Sequence, residues 1–256
     1  MPRPGRVAED ASVPSGAPDG AAAEGLADWQ ASPNVNARRH GGDPDMVVVH
    51  YTAMASAQDA LRRLCDDCPP EGLGPVSCHY LISETGRIWQ MVRERDRAWH
   101  AGVGAWGGRE DVNSHSIGIE LANTGLHPFP EPQMAALEAL LPGILARWAI
   151  APARVIGHSD MAPGRKIDPG PRFDWRRLAR QGLSVWPGAA GEGDFHADLA
   201  RFGYPVEAVA EADLLEAFRA RFRPHGRGPV SAEDRRIARD LAERFPARAG
   251  AHSPTA

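Results

Sequence analysis

The sequence predicts an α/β domain followed by a small all-helical unit, on three observations. Short apolar runs rich in β-branched residues mix with helix-period segments up to about residue 182. A Pro/Gly-rich stretch, "SVWPGAAGEGD" (184–194), then interrupts the pattern. Beyond that stretch the spacing is helical only.

The N-terminal "MPRPGRVAEDASVPSGAPDG" is rich in Pro, Gly, Ala and Asp, so residues 1–28 read as a disordered tail. "DMVVVHYT" (45–52) is a Val-rich run, read as a buried strand ending at His50. In "SAQDALRRLCDD" (56–67), Ser56 is placed as an N-cap and the apolar residues recur at helical spacing. "VSCHYLIS" (76–83) and "RIWQMV" (87–92), joined by "ETG", read as a hairpin. "SIGIELAN" (116–123) alternates and reads as a strand.

"PEPQMAALEALLPGILARWAI" (130–150) is helical, and Pro142 with Gly143 should kink or split it. "RVIGHSD" (154–160) reads as a strand running into a loop, and "DWRRLAR" (174–180) as a closing helix. The implied layout is a body at 29–183, a linker at 184–193, three helices within 194–246 and a tail at 247–256. Three such helices are about the smallest bundle that folds alone.

Composition narrows the function classes. A 43% hydrophobic content over 256 residues supports a real core. A net charge of −4, with scattered basic residues, argues against a nucleic-acid partner. No apolar run reaches the length of a transmembrane segment. The start as written has no apolar signal core, which favours the cytoplasm, with the periplasm or cell envelope as the alternative. Three Cys do not suggest a disulfide framework. Cys65 and Cys68 form a C-x-x-C pair that reads as two helical-face thiols rather than a second metal site.

The chemistry concentrates in "GHSDMAPGRKIDPG" (157–170), which holds the single Lys of a chain with 29 Lys plus Arg. His50 and His158 each close an apolar strand, and Asp168 comes after His158 across a loop with Pro163 and Gly164. Strand ends place side chains at the mouth of a sheet, where sites are commonly built. Two imidazoles and one carboxylate form a catalytic type of zinc site, with a position left for water. Such a site also needs a base and a cation for the developing oxyanion. Glu120, on an apolar strand where a carboxylate is costly, is the candidate base. Lys166 offers a compact point charge that Arg cannot copy. Each residue alone has a bland reading: a core histidine, a paired buried acid, or chance in an Arg-biased chain. Their joint occurrence argues for a site.

"VVVHYTAM", "SCHYLISETGRIWQMV", "RAWHAGVGAWGG", "NSHSIGIELAN" and "GHSDMAPGRKIDPGPRFDW", in that order, resemble the zinc-dependent N-acetylmuramoyl-L-alanine amidases of type 2 over roughly residues 29–182. The resemblance implies a central mixed β-sheet flanked by helices. It implies one zinc ion on His50, His158 and Asp168, with Glu120 and Lys166 catalytic. The reaction implied is hydrolysis of the amide between N-acetylmuramic acid, or its 1,6-anhydro form, and L-alanine of the stem peptide. Peptidoglycan or muropeptide fragments are the implied partners, in cell-wall turnover or recycling. A non-catalytic peptidoglycan-recognition protein is the alternative on the same fold. "LARFGYPVEAVAEADLLEAFRARFRP" is similar to the three-helix peptidoglycan-binding module that often accompanies such amidases. His100, Asn113 and Arg165 are expected to contact substrate. His79 is expected at the cleft floor or in a core hydrogen bond, and Trp99 and Trp106 are expected to pack.

Overall fold

The structure, a computed structural model, describes residues 17–188, 190–207 and 209–247. Of the tails expected at 1–28 and 247–256, residues 1–16 and 248–256 lie outside the described residues. The strands are β1 (Asp28–Trp29), β2 (Val35–Asn36), β3 (Met46–Tyr51), β4 (Tyr80–Ile82), β5 (Ile88–Gln90), β6 (Arg97–Ala98), β7 (Ser116–Leu121) and β8 (Val155–Gly157). The helices are α1 (Gly20–Ala23), α2 (Ala57–Leu64), α3 (Val112–His115), α4 (Glu131–Arg147), α5 (His158–Met161), α6 (Trp175–Arg180), α7 (Phe195–Phe202), α8 (Glu211–Phe222) and α9 (Ala232–Arg244).

Six strands form one sheet in the order β1-β5-β4-β7-β3-β8, and β2 pairs with β6 separately. The sheet is mixed: β3 runs parallel to β7 and β8, while β4 and β5 form the antiparallel hairpin. The apolar run of β3 is explained by cores on both of its faces. Successive strand residues point to opposite faces. Val47 and Val49 join the core made with Leu137, Leu140 and Ile144 of α4. Met46 and Val48 join a second core with Leu199, Phe202, Leu214, Phe218 and Leu241 of α7, α8 and α9. The C-terminal helices therefore share a core with the sheet. His50 continues the Met46–Val48 side of the alternation and is 1% exposed.

Sequence and structure differ at four places. The segment expected to be tail up to residue 28 is built in from Asp19 onward: Asp19 Oδ1 accepts from the Glu94 backbone, and Tyr80 Oη accepts from Ala21 N. Helix α4 runs through Pro142 without splitting, because its buried neighbours Leu140, Leu141 and Ile144 pack on the sheet. That packing offsets a proline cost of about 3 kcal/mol. Strand β7 is buried on nearly its whole length rather than alternating, since it lies between two parallel neighbours. His158 opens the four-residue helix α5 instead of ending a strand.

Candidate active site

His50 is the penultimate residue of β3, and Glu120 is its register partner on β7. His158 begins α5 at the end of β8, the other neighbour of β3. Asp168 is tied to that helix: its carbonyl accepts from Ser159 N at 2.9 Å. Adjacent strand ends thus bring together residues up to 118 positions apart.

His50 Nδ1 lies 2.9 Å from His158 Nδ1 and 3.0 Å from Asp168 Oδ2, which lies 3.1 Å from His158 Nδ1. The outer ring nitrogens decide what these atoms are. His158 Nε2 is 2.8 Å from the Ala101 carbonyl, which can only accept, so Nε2 carries the proton and Nδ1 a lone pair. For His50 the chain is longer. Ser116 Oγ donates to the Val112 carbonyl at 2.6 Å and so accepts from His100 Nε2. His100 Nδ1 then accepts from His50 Nε2 at 2.9 Å, which leaves His50 Nδ1 a lone pair as well. Burial, then the neighbouring His158, pushes the His50 pKa down to about 4, so the ring is neutral at physiological pH.

With both rings neutral, two imidazole lone pairs and a carboxylate oxygen face one another. Such a set repels itself unless a cation sits among the three. A tetrahedral ion with bonds of about 2.0–2.1 Å needs ligand atoms roughly 3.3 Å apart, close to the spacing found. The donor set thus fits a divalent metal, and it is the one such group of His, Cys, Asp and Glu among the described residues. Both imidazoles have the outer hydrogen bond that fixes tautomer and orientation in metal sites.

Of the residues expected at the substrate, His100 lines the cleft, and both it and Asn113 direct polar atoms into the protein. His100 supports His50 through its ring nitrogens. The His100 ring has room only because residue 118 is Gly: a Cβ there would fall 2.5 Å from ring atoms. Asn113 Oδ1 accepts from the backbone N–H of His100 at 3.0 Å and of Ala101 at 2.8 Å. It clamps the dipeptide that supports both imidazoles. Arg165 lines the cleft, and its Nη2 also donates to the Ala101 carbonyl at 2.6 Å. His79 is fully buried and accepts at Nδ1 from Gly118 N, with Nε2 toward the Asp96 carbonyl. Trp106 packs edge-on against Phe202 and Tyr204.

Glu120 shares with the three donors a cleft of about 530 Å³, which Lys166 also lines. Its Oε2 is sealed from solvent and has no hydrogen-bond partner. Burial, then the charge of Asp168, pushes its pKa up to about 8, against a downward pull from Lys166. A carboxylate with one oxygen sealed from solvent and no structural bond suits proton transfer. Lys166 is exposed on the loop before Asp168. With Tyr51 and Ile167 it also borders a second groove of about 550 Å³, walled by α8.

Sequence reasoning missed the supports: Ser116, the Ala101 carbonyl and, behind His158, Asp160. The only signal for Asp160 was its place in "GHSD".

Comparison with known proteins gives a consistent relationship. A family described as N-acetylmuramoyl-L-alanine amidase matches residues 40–171. The chain is 36% identical over 236 residues to N-acetylmuramoyl-L-alanine amidase AmiD of Escherichia coli (strain K12), covering 78% of this chain and 83% of that protein. It is 38% identical over 160 residues to 1,6-anhydro-N-acetylmuramyl-L-alanine amidase AmpD of Haemophilus influenzae, covering 57% of this chain and 86% of that relative. Among solved structures, E. coli AmiD in complex with the substrate anhydro-N-acetylmuramic acid-L-Ala-D-γ-Glu-L-Lys superposes with a TM-score of 0.70 at 35% identity, covering 80% of this chain and 92% of that one. AmpDh3 of Pseudomonas aeruginosa gives 0.71 at 30% identity, with 82% and 95% covered.

Proposed function

This chain belongs to the N-acetylmuramoyl-L-alanine amidase family, and from that premise we propose that it is a zinc hydrolase of muropeptides. It cleaves the amide between the lactyl group of N-acetylmuramic acid, or its 1,6-anhydro form, and L-alanine of the stem peptide. The observation that carries the reading is the cluster of three donor atoms about 3 Å apart, in one cleft with a carboxylate whose Oε2 is sealed from solvent and has no partner.

His50, His158 and Asp168 would hold the zinc. Bound there, the ion supplies Lewis acidity to water and to the scissile carbonyl. Glu120 takes the proton of the attacking water and delivers it to the leaving alanine nitrogen. With no hydrogen bond to hold it, one carboxyl can serve as base and then as acid. Lys166 holds the negative charge that develops on the carbonyl oxygen. The His100–Ser116 chain and the Asn113 clamp keep both imidazoles in the metal-binding tautomer.

In this reading residues 29–183 are the catalytic body. The helices within 194–246 are the peptidoglycan-binding-like part, and one of them walls the groove beside the cleft. Among the described residues no helix is long and apolar enough to cross a membrane.

Digestion of muropeptides followed by mass spectrometry tests the assignment. Release of free stem peptide beginning with L-alanine is expected. A cut within the stem, or binding without cleavage, refutes it. Intact sacculi and soluble anhydro-muropeptides as parallel substrates separate turnover from recycling, and fractionation tests the cytoplasmic expectation.

A further inference from the structure

Helix α5 has only four residues, and each is committed in a different direction. His158 Nδ1 enters the donor cluster. Ser159 N holds the carbonyl of Asp168. The Met161 carbonyl accepts from Ala105 N at 2.9 Å. Asp160 points away from the cleft into the core shared with the C-terminal helices, and is 1% exposed. There its Oδ2 accepts from Gly157 N, one residue before His158, at 2.8 Å. The same oxygen receives Arg221 Nη1 of α8 at 2.6 Å, and Oδ1 receives the Tyr204 hydroxyl at 2.5 Å.

Arg221 is 3% exposed; both terminal nitrogens are engaged, while its Nε is buried without a partner. Its Nη2 donates to the Val155 carbonyl of β8 at 3.0 Å and to Ser184 Oγ at 3.3 Å. Its guanidinium stacks 4.3 Å over Trp175 and 4.8 Å over Phe222. One side chain thus grips the last strand before His158, the helix that carries His158 and the segment leading to the C-terminal helices. Asp160 is buried and, among the described residues, has Arg221 as its one cationic partner. Without that partner the carboxylate would have to seek water. The α5 turn would move with it, and both His158 and the backbone hold on Asp168 ride on that turn. Arg221 and Tyr204 lie outside residues 40–171, the span matched by the family.

We infer that the C-terminal helices are part of the metal site's support: Arg221 and Tyr204, acting through Asp160, are positioning residues for His158 and Asp168. A peptidoglycan-binding role for these helices would leave the metal site indifferent to their interior residues. The inference rests on the metal reading of His50, His158 and Asp168. It does not need the identity of the bond cleaved.

The test measures metal binding on the full chain rather than turnover. Zinc affinity is read by competition with a chelator, and cobalt(II) substitution adds a visible absorption band that reports coordination geometry. Tyr204→Phe keeps the ring in the core and removes one donor to Asp160. Arg221→Lys keeps the charge and loses the fork that joins Asp160 to Val155. Removing such outer partners typically weakens metal binding about 10–100-fold, and both variants are expected in that range with an altered cobalt band. Leu241→Ala is the control. It lies fully buried in the same core, so it lowers the unfolding temperature. Assayed below its transition, it is expected to bind zinc as the parent chain does. Parental zinc affinity and cobalt band in both Tyr204→Phe and Arg221→Lys overturn the inference. So does an equal loss in Leu241→Ala, or failure of the parent chain to bind either ion. If the amidase reading alone is wrong, the parent chain binds zinc with the expected dependence on Arg221 and Tyr204 yet releases no stem peptide.

Discussion

Replacing Glu120 by Gln separates its chemical role from its structural one. No group among the described residues hydrogen-bonds the carboxylate, and its Oε2 is sealed from solvent. The amide is nearly isosteric, so packing is kept and no bond of the fold is lost. The base is removed, and positioned proton transfer is worth about 10²–10⁴-fold in rate, or about 3–5 kcal/mol of barrier. Stability of the metal-free protein should move the other way. A carboxyl raised from 4.5 to about 8 makes the folded state bind the extra proton across that window. Stability is then undiminished below about pH 4.5 and is progressively lost up to about pH 8. The full loss is on the order of 5 kcal/mol. Gln cannot ionise, so the metal-free variant should match the parent at pH 4.5 and exceed it at pH 8.5 in urea unfolding monitored by tryptophan fluorescence. Muropeptide cleavage should fall at least about 100-fold in the zinc-loaded variant. Near-parental turnover would refute the base assignment. A variant less stable than the parent at pH 8.5 would refute the account of the buried carboxylate.

The same geometry sets three further outcomes. Asp168→Asn leaves the His50 and His158 lone pairs without their anionic partner, so a zinc ion that survives dialysis in the parent should be lost, as read by elemental analysis. Lys166→Ala removes an exposed side chain that holds no ligand atom, so zinc content and unfolding temperature should be unchanged while kcat falls about 10²–10³-fold; normal turnover would remove Lys166 from the mechanism. In α9, burial alone would raise the Asp234 carboxyl, but hydrogen bonds from Arg219 and from Ser231 bring it down to about 2. Its contribution is therefore present above the ordinary value of 3.8 and is lost as pH falls toward 2. Asp234→Asn should lower the urea midpoint at pH 7 and flatten its decline between pH 4 and 2.5.

How much of this was legible depends on the range over which each interaction acts. Elements set by neighbours in sequence could be read directly. The Val-rich run gave β3, Ser56 capped α2 by accepting from Asp59 N, and the "ETG" turn joined β4 to β5. The five residues assigned to chemistry could be nominated because each is a costly group beside apolar strands or in one loop. Elements of two to four residues, such as β2, β6, α3 and α5, escaped because they are too short to show a hydrophobic period. The supporting bonds of His100 and Asn113 were hidden for the same reason. A polar residue near a cleft looks alike in sequence whether it faces substrate or holds the backbone behind a ligand. Only the directions of its hydrogen bonds distinguish the two, and here they run from the Val112 carbonyl through Ser116 and His100 to His50. Arg221 is the extreme case. In "AFRARF" it reads as the solvated face of a helix, in a chain where Arg is common. Nothing local says that the carboxylate it neutralises lies 61 residues earlier, two positions past His158. A chain cut at the Pro/Gly-rich segment after residue 183 would therefore keep every residue assigned to chemistry and still leave Asp160 buried without its counter-charge.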